Sequence, residues 1–284
     1  MGKIAVIVDS GSDVPQSVLV SHANIAVVPL TVTFGGREYH DGVDLTPTAF
    51  YEYLETADEL PKTASPAPFA VTAKMQELLD AGYTHIIGVT IASALSATYQ
   101  TFKLAAADLP AGTVEVLDSK SVGIGSGLQA VYALDLIDEG VPFADIVLRV
   151  QASIAKSHVY FYVPSLKYLA AGGRIGRVAG LLGGLLKVKP VISCADDGVY
   201  YVVGKSRSEA KAMKNMVDLV AADFAGGRAG RIAVAHGANP ELLSKVADAL
   251  ANATDHPVDY RGDISPSLGV HTGPGLIGVG VQIV

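Results

Sequence analysis

The chain has 284 residues, half of them hydrophobic, with 21 Lys plus Arg against 28 Asp plus Glu and a formal charge of −7. That acidity argues against an electrostatic grip on nucleic acid or an anionic membrane surface, which needs a basic patch. The apolar content argues against disorder, and the single cysteine, Cys194, excludes an intramolecular disulfide and a multi-cysteine zinc site.

Residues 4–8 form an unbroken apolar run that ends in Asp9-Ser10-Gly11-Ser12-Asp13. This is the profile of a strand buried on both faces, as in a parallel sheet. Pro15 suits the first turn of the next helix. Residues 26–34 predict a second strand, with Gly35-Gly36 as a turn. Thr46 reads as an N-cap with Pro47 at the first helical position. A helix over 68–81 is stopped by Gly82. Strand 85–90, helix 96–107, strand 114–117 and helix 122–139 follow. This alternation, with short loops, predicts an α/β sheet with helices on its faces.

After Pro142 the pattern loosens. It reads as helix 143–155, strand 159–163, antiparallel strands 191–193 and 199–203, helix 209–224, strand 231–235, helix 240–250, strand 258–260 and a Gly-rich strand 275–283. Two α/β domains are expected, 1–157 and 158–284, with the last segment returning to the cleft between them. Two stretches lack charged residues, 83–102 and 264–284, but polar, Pro and Gly residues interrupt both. Neither reads as a membrane span, which needs about 20 mainly apolar residues. The N-terminal apolar run is too short for a signal peptide. The expectation is a soluble protein of a reducing cytoplasm.

The phosphate-loop, nucleophile-elbow, zinc-protease and Cys-x-x-Cys patterns are absent. What remains is three polar loops expected at the carboxyl ends of parallel strands, where such sheets bind ligands. They are Asp9–Asp13, Lys62–Pro68 and Thr90–Tyr99, rich in hydroxyls and poor in strong bases. Ser96 alone reads as an ordinary helix cap. The three loops together read as an anion site, because hydroxyls and free N–H groups at helix starts favour one. His271, in a Gly-rich loop, is either a satisfied loop histidine or a donor to the same anion. Arg174, after two glycines, is either solvated or a carboxylate or phosphate clamp. The Gly-Leu run at 178–186 is core, the wall of an apolar ligand site, or a partner face.

Seven motifs in order carry a resemblance. They are Asp9-Ser10-x-Ser12-Asp13, Thr63-x-x-Pro66, Ser93-x-x-Ser96-x-Thr98-Tyr99, Asp118-Ser119, Leu169-x-x-Gly172-Gly173-Arg174-Ile175, Lys189-Pro190 and His271-x-Gly273-Pro274-Gly275. The chain resembles the DegV family of bacterial fatty-acid-binding proteins over essentially its whole length. The resemblance implies a two-domain fold, with a mainly parallel N-terminal sheet, a second α/β domain and a ligand tunnel between them. It implies one long-chain fatty acid as ligand and no other cofactor, metal or catalytic residue. It also implies a separate ATP-dependent fatty acid kinase as partner, which phosphorylates the bound carboxylate. The chain is then a non-catalytic carrier in phospholipid metabolism, with no stable membrane insertion and room for transient membrane contact.

By the same resemblance Thr63, Ser93, Ser96 and His271 are the carboxylate-binding groups, and Arg174 is a head-group or kinase-facing residue. Ala64, Ala67, Ala92 and Ala97 stand where the family pattern has other residues, mostly hydroxyls, so head-group fixation leans on Thr63, Ser93, Ser96, backbone N–H groups or water. Two rival readings share the cleft: a hydrolase using Ser93 or Ser96 with His271, and a binder of a phosphorylated metabolite or nucleotide. The first lacks a nucleophile elbow and an identifiable Asp to orient the histidine.

Overall fold

The computed structural model describes residues 2–182 and 188–284. The chain runs β1 (Ile4–Asp9), α1 (Gln16–Ser21), β2 (Ile25–Val28), β3 (Thr31–Phe34), β4 (Arg37–His40), α2 (Pro47–Thr56), β5 (Lys62–Ala64) and α3 (Pro68–Asp80). It continues with β6 (His85–Thr90), α4 (Thr98–Ala107), β7 (Val114–Asp118), α5 (Ile124–Asp138) and α6 (Phe143–Ile154). Next come β8 (His158–Tyr162), α7 (Lys167–Ala171), β9 (Lys189–Cys194), β10 (Tyr200–Ser206) and α8 (Glu209–Asp223). The last elements are β11 (Gly230–His236), α9 (Pro240–Thr254), β12 (Tyr260–Asp263), α10 (Pro266–Thr272) and β13 (Ile277–Ile283).

These strands make three sheets. The first is parallel throughout, in the order β2-β1-β6-β7. Every residue of β1 is buried, as its unbroken apolar run requires of a strand covered on both faces. The second sheet has the order β10-β9-β8-β13-β11-β12 and is antiparallel except for the β11–β12 pair. The third is small and antiparallel, β4-β3-β5. The protein is thus a mixed α/β fold, with a parallel N-terminal sheet and a second α/β unit behind it.

Helix α5 sits between the two larger sheets. It packs on β1 and β6 on one side and on β11 and β13 on the other. Its residues from Ile124 through Val131 are all buried, which explains a sequence with no polar face. Thr46 caps α2 as expected, its hydroxyl accepting from the Ala49 N–H at 3.3 Å. Gly35 and Gly36 both have positive φ, 56° and 72°, and make the tight turn that pairs β3 with β4.

Four expectations need correction. The strand expected over 26–34 is two strands in two sheets, because Pro29 has no N–H to donate and the chain turns there. Residues 62–64 and 266–272, expected as loops, are strand β5 and helix α10. Ser96 lies outside α4, which starts at Thr98. The strand expected at 258–260 is Tyr260–Asp263. Of the Gly-Leu run, Val178 is buried in a short 3-10 turn and Leu182 is exposed, while 183–187 lie outside the described residues. Among the described residues no helix is long and apolar enough to cross a membrane.

Candidate functional site

A narrow cavity lies where one face of the six-stranded sheet meets α10, the start of α5 and the chain after β5 and β6. It encloses about 700 Å³ counting its open mouth, and only about 60 Å³ admits the centre of a water molecule. It is therefore a slot rather than a bowl. Leu30, Ile91, Ile124, Phe161, Leu268 and Leu276 supply apolar wall. The polar lining comes from Thr63, Ser96, Ser267, His271, Thr272 and Arg174, and from Tyr200, which alone of these lies on the six-stranded sheet.

Helix α10 positions His271. Its N-terminal end is pinned by two buried carboxylates. Asp13 Oδ1 accepts the Ser265 N–H at 3.1 Å, and Asp41 Oδ2 accepts the Ser267 N–H at 3.3 Å and the Ser10 hydroxyl at 2.8 Å. The helix is short, so His271 falls in its last turn. Thr63 reaches the same point from β5, held in register by the Val32–Thr63 pair with β3. The Thr63 hydroxyl and His271 Nε2 are 2.8 Å apart. Gly172 lies against the imidazole, and a side chain there would run into the ring.

Burial, with a smaller push from the Arg174 charge, lowers the His271 pKa from 6.5 to about 4. The ring is neutral at pH 7, and its Nδ1 is buried without a partner among the described residues. Arg174 donates from Nε to the Leu95 carbonyl at 3.1 Å and from Nη1 to the Gly172 carbonyl at 2.7 Å. These bonds fix the guanidinium but do not neutralise it. Among the described residues its ion-pair partners number none, unlike those of Arg177, Arg231 and Arg261.

Ser96 lines the slot and belongs to a chain of hydroxyls. Its Oγ lies 3.2 Å from Ser65 Oγ and 2.8 Å from Thr98 Oγ1, and it accepts the Thr98 N–H at 3.3 Å. Ser93 does not line the slot. Its backbone N–H donates to Asp118 Oδ1 at 3.1 Å. Burial raises the Asp118 carboxyl, but bonds from Lys120 and from the Ser93 and Lys120 backbones outweigh it and leave the pKa below 3.8.

Sequence reasoning overlooked Ser65, Ser267 and Thr272. Ser65 had a signal, because it stands two residues after Thr63 and restores a hydroxyl beside Ala64. Ser267 had another, since Ser265-Pro266 is a helix-start pattern.

The first polar loop goes elsewhere. Asp9, Ser10 and Asp13 line a separate, wider cleft together with Asp41 and Asp263; it encloses about 1380 Å³ counting its open mouth, of which about 570 Å³ admits the centre of a water molecule. Burial raises the pKa of Asp9 to about 7 and lifts Asp13 and Asp41 as well. The cleft's lining mixes these carboxyl groups with Arg261, and no residue of the Asp9–Asp13 loop lines the slot. Only two of the three loops expected to converge therefore meet at the slot. Among the described residues no group of three or more His, Cys, Asp or Glu is placed to hold a metal ion.

Fold and site together define an α/β protein with a narrow, mainly apolar slot whose lining brings together hydroxyls, a neutral imidazole and a guanidinium with no ion-pair partner among the described residues. The chain belongs to the DegV family: the model of the family described as "Uncharacterised protein, DegV family COG1307" matches residues 3–283. A DegV domain-containing protein of Clostridium acetobutylicum is 36% identical over 279 residues, covering 98% of each chain. The chain is also similar to solved structures. One, described as a fatty-acid-binding DegV family protein from Thermus thermophilus, has TM-score 0.91 and 28% identity over 99% of this chain and 100% of that one. Another, described as DegV, a fatty acid binding protein from Bacillus subtilis, has TM-score 0.90 and 28% identity over all of both chains. A third, described as a stearic-acid-binding protein from Eubacterium ventriosum, has TM-score 0.89 and 28% identity over 100% of this chain and 98% of that one.

Proposed function

We propose that this chain holds one long-chain fatty acid in the slot and presents its carboxylate to a separate ATP-dependent kinase for acyl-phosphate formation. The observation that carries the binding half is Arg174, a cation fixed by carbonyls and without an ion-pair partner among the described residues, in the lining of an apolar slot. Related structures described as binding fatty acids support the same reading. The kinase half rests on the family resemblance and on the absence of a phosphate-binding loop in the sequence.

The energetics favour a greasy ligand. About 14 buried methylenes contribute roughly 11 kcal/mol gross, and association and chain ordering offset a large part. The tail supplies affinity and the head needs only orientation. With the proton on Nε2, His271 donates to Thr63 Oγ1, which leaves the Thr63 hydroxyl proton for an acid oxygen. Ser96 and Arg174 supply the remaining donors. A carboxylate oxygen left facing the mouth attacks the γ-phosphorus of ATP held by the kinase, the bond to ADP breaks, and an acyl phosphate forms.

We read the domains as 1–157 and 158–284, with α10 crossing back to the first. All six strands of the second sheet lie after residue 157, whereas α10 packs on α2, β3 and β5. The ATP-dependent partner makes the cytoplasm the place of action.

Native mass spectrometry of the protein purified without added ligand tests the binding half. An aliphatic acid released on denaturation supports it, and a nucleotide or sugar phosphate in its place ends it. Trapping of acyl phosphate with hydroxylamine, in a mixture of loaded protein, kinase and ATP, tests the second half. No hydroxamate from a kinase active on another DegV protein would refute presentation.

A further inference from the structure

From Ile277 to Val281, strand β13 alternates large and absent side chains. Ile277, Val279, Val281 and Ile283 point to one face of the sheet and belong to the core under α8 and α9. Gly278 and Gly280 share the opposite face, as residues two apart on a strand must. A central strand is a poor place for glycine, which contributes no packing and costs backbone entropy. Two glycines on one face of a buried strand call for a reason.

The two have different reasons. A Cβ at Gly280 would lie 3.1 Å from the Gly125 nitrogen and 3.1 Å from the Ile124 carbonyl carbon, both backbone atoms of α5. Gly280 therefore exists so that helix and sheet can touch. At Gly278 nothing crowds. A Cβ there would meet Leu276 Cδ2 at 3.6 Å and Phe161 Cβ at 3.9 Å, ordinary contact distances, and φ is not in the left-handed region. Gly278 lines the slot, paired with Phe161 on β8 and Ala235 on β11. The space its missing side chain leaves is part of the slot itself.

We infer that Gly278 is a specificity-determining residue, whose missing side chain provides room for the acyl tail and so sets the longest chain the slot accepts. This rests on the fatty-acid reading above. A methyl group at 278 takes up about the volume of one methylene of ligand, and an isopropyl group about three. Each methylene kept out of the slot costs about fourfold in affinity.

Affinities of wild type, Gly278→Ala and Gly278→Val are measured for a ladder of saturated acids from decanoic to eicosanoic. Gly278→Ala is expected to weaken the longest acids by about fourfold to fifteenfold and to leave the shortest unchanged. Gly278→Val moves the optimum to still shorter acids. The unliganded Gly278→Ala protein melts at or above the wild-type temperature, because the new methyl fills empty space in a strand. A ladder of unchanged shape overturns the inference. So does equal loss at every length, or a lower melting temperature of unliganded Gly278→Ala, since each means that the residue serves packing. If the wild type binds no acid of any length, the fatty-acid reading itself falls and the inference falls with it.

Discussion

The Thr63 hydroxyl and His271 Nε2 lie 2.8 Å apart although 208 residues separate them in the chain. One sits on a three-residue edge strand and the other in the last turn of a short helix. No hydrogen-bond ladder joins the two elements; the strand is held by its pairing with β3. The pair forms because α10 is anchored at its other end by Asp13 and Asp41.

Thr63→Val keeps the shape of this contact and removes the hydroxyl. It is expected to weaken long-chain acid binding by about threefold to tenfold, the worth of one ordinary hydrogen bond. Acyl-phosphate formation is expected to fall further, because the head is then loosely oriented. Calorimetry and a hydroxylamine assay on the same preparation measure both. Equal losses in the two would contradict the separate roles of head and tail.

Arg174→Ala removes the fixed charge. Acid affinity is expected to drop by about tenfold to a hundredfold, the range of a hydrogen bond to a charged group. Affinity for the fatty alcohol of equal length is expected to stay level. The His271 pKa is expected to rise somewhat from about 4, since the Arg174 charge is the lesser of its two depressing influences. Fluorescence displacement with acid and alcohol, alongside NMR titration of the imidazole, decides the matter. Parallel loss of both ligands would mean that Arg174 holds the fold rather than the charge.

Ser96→Ala is expected to weaken acid binding, and Ser93→Ala to leave it nearly unchanged. Ser96 lines the slot and joins Ser65 and Thr98, whereas Ser93 lies outside the slot lining and is turned to Asp118. A larger effect at Ser93 would show that the loop rearranges around the ligand.

Two buried groups give stability opposite slopes with pH. The folded Asp9 carboxyl titrates at about 7 instead of 3.8. Its contribution is complete below pH 3.8, shrinks as the pH rises, and is gone above 7. The folded His271 titrates at about 4 instead of 6.5, so its contribution is complete above pH 6.5 and is lost as the pH falls to 4. Each is worth on the order of a few kcal/mol. Asp9→Asn cannot ionise, and Asn can still accept the Ile91 N–H that Asp9 Oδ2 accepts at 2.9 Å. Its melting temperature relative to wild type is expected to climb between pH 3.8 and 7. A constant difference across that range would show that Asp9 stays ionised.

Much of the scaffold was readable because its patterns are local. The solid apolar run of β1 and the faceless apolar stretch of α5 both announce burial between layers. Thr46-Pro47 and Gly35-Gly36 announce a helix start and a turn. Pro29 also carried its signal, but the apolar residues on both sides of it masked the break. Helix α10 was harder to see, since Gly269, Gly273 and Gly275 make its surroundings look like loop. The site was legible only as residue types. That Arg174 lies beside His271, that Ser93 stays out of the slot and that Asp9 faces another cleft all depend on how three sheets are packed. No spacing along the chain encodes that.

The small sheet that carries Thr63 shares no backbone ladder with the sheet that carries Gly278, and Arg174 lies on a turn that belongs to neither. An occupant touching all three acts as a rivet between parts otherwise joined by stacking and a few side-chain hydrogen bonds. Loaded and empty copies should then differ in lifetime as well as in cargo, the empty one opening first to a protease.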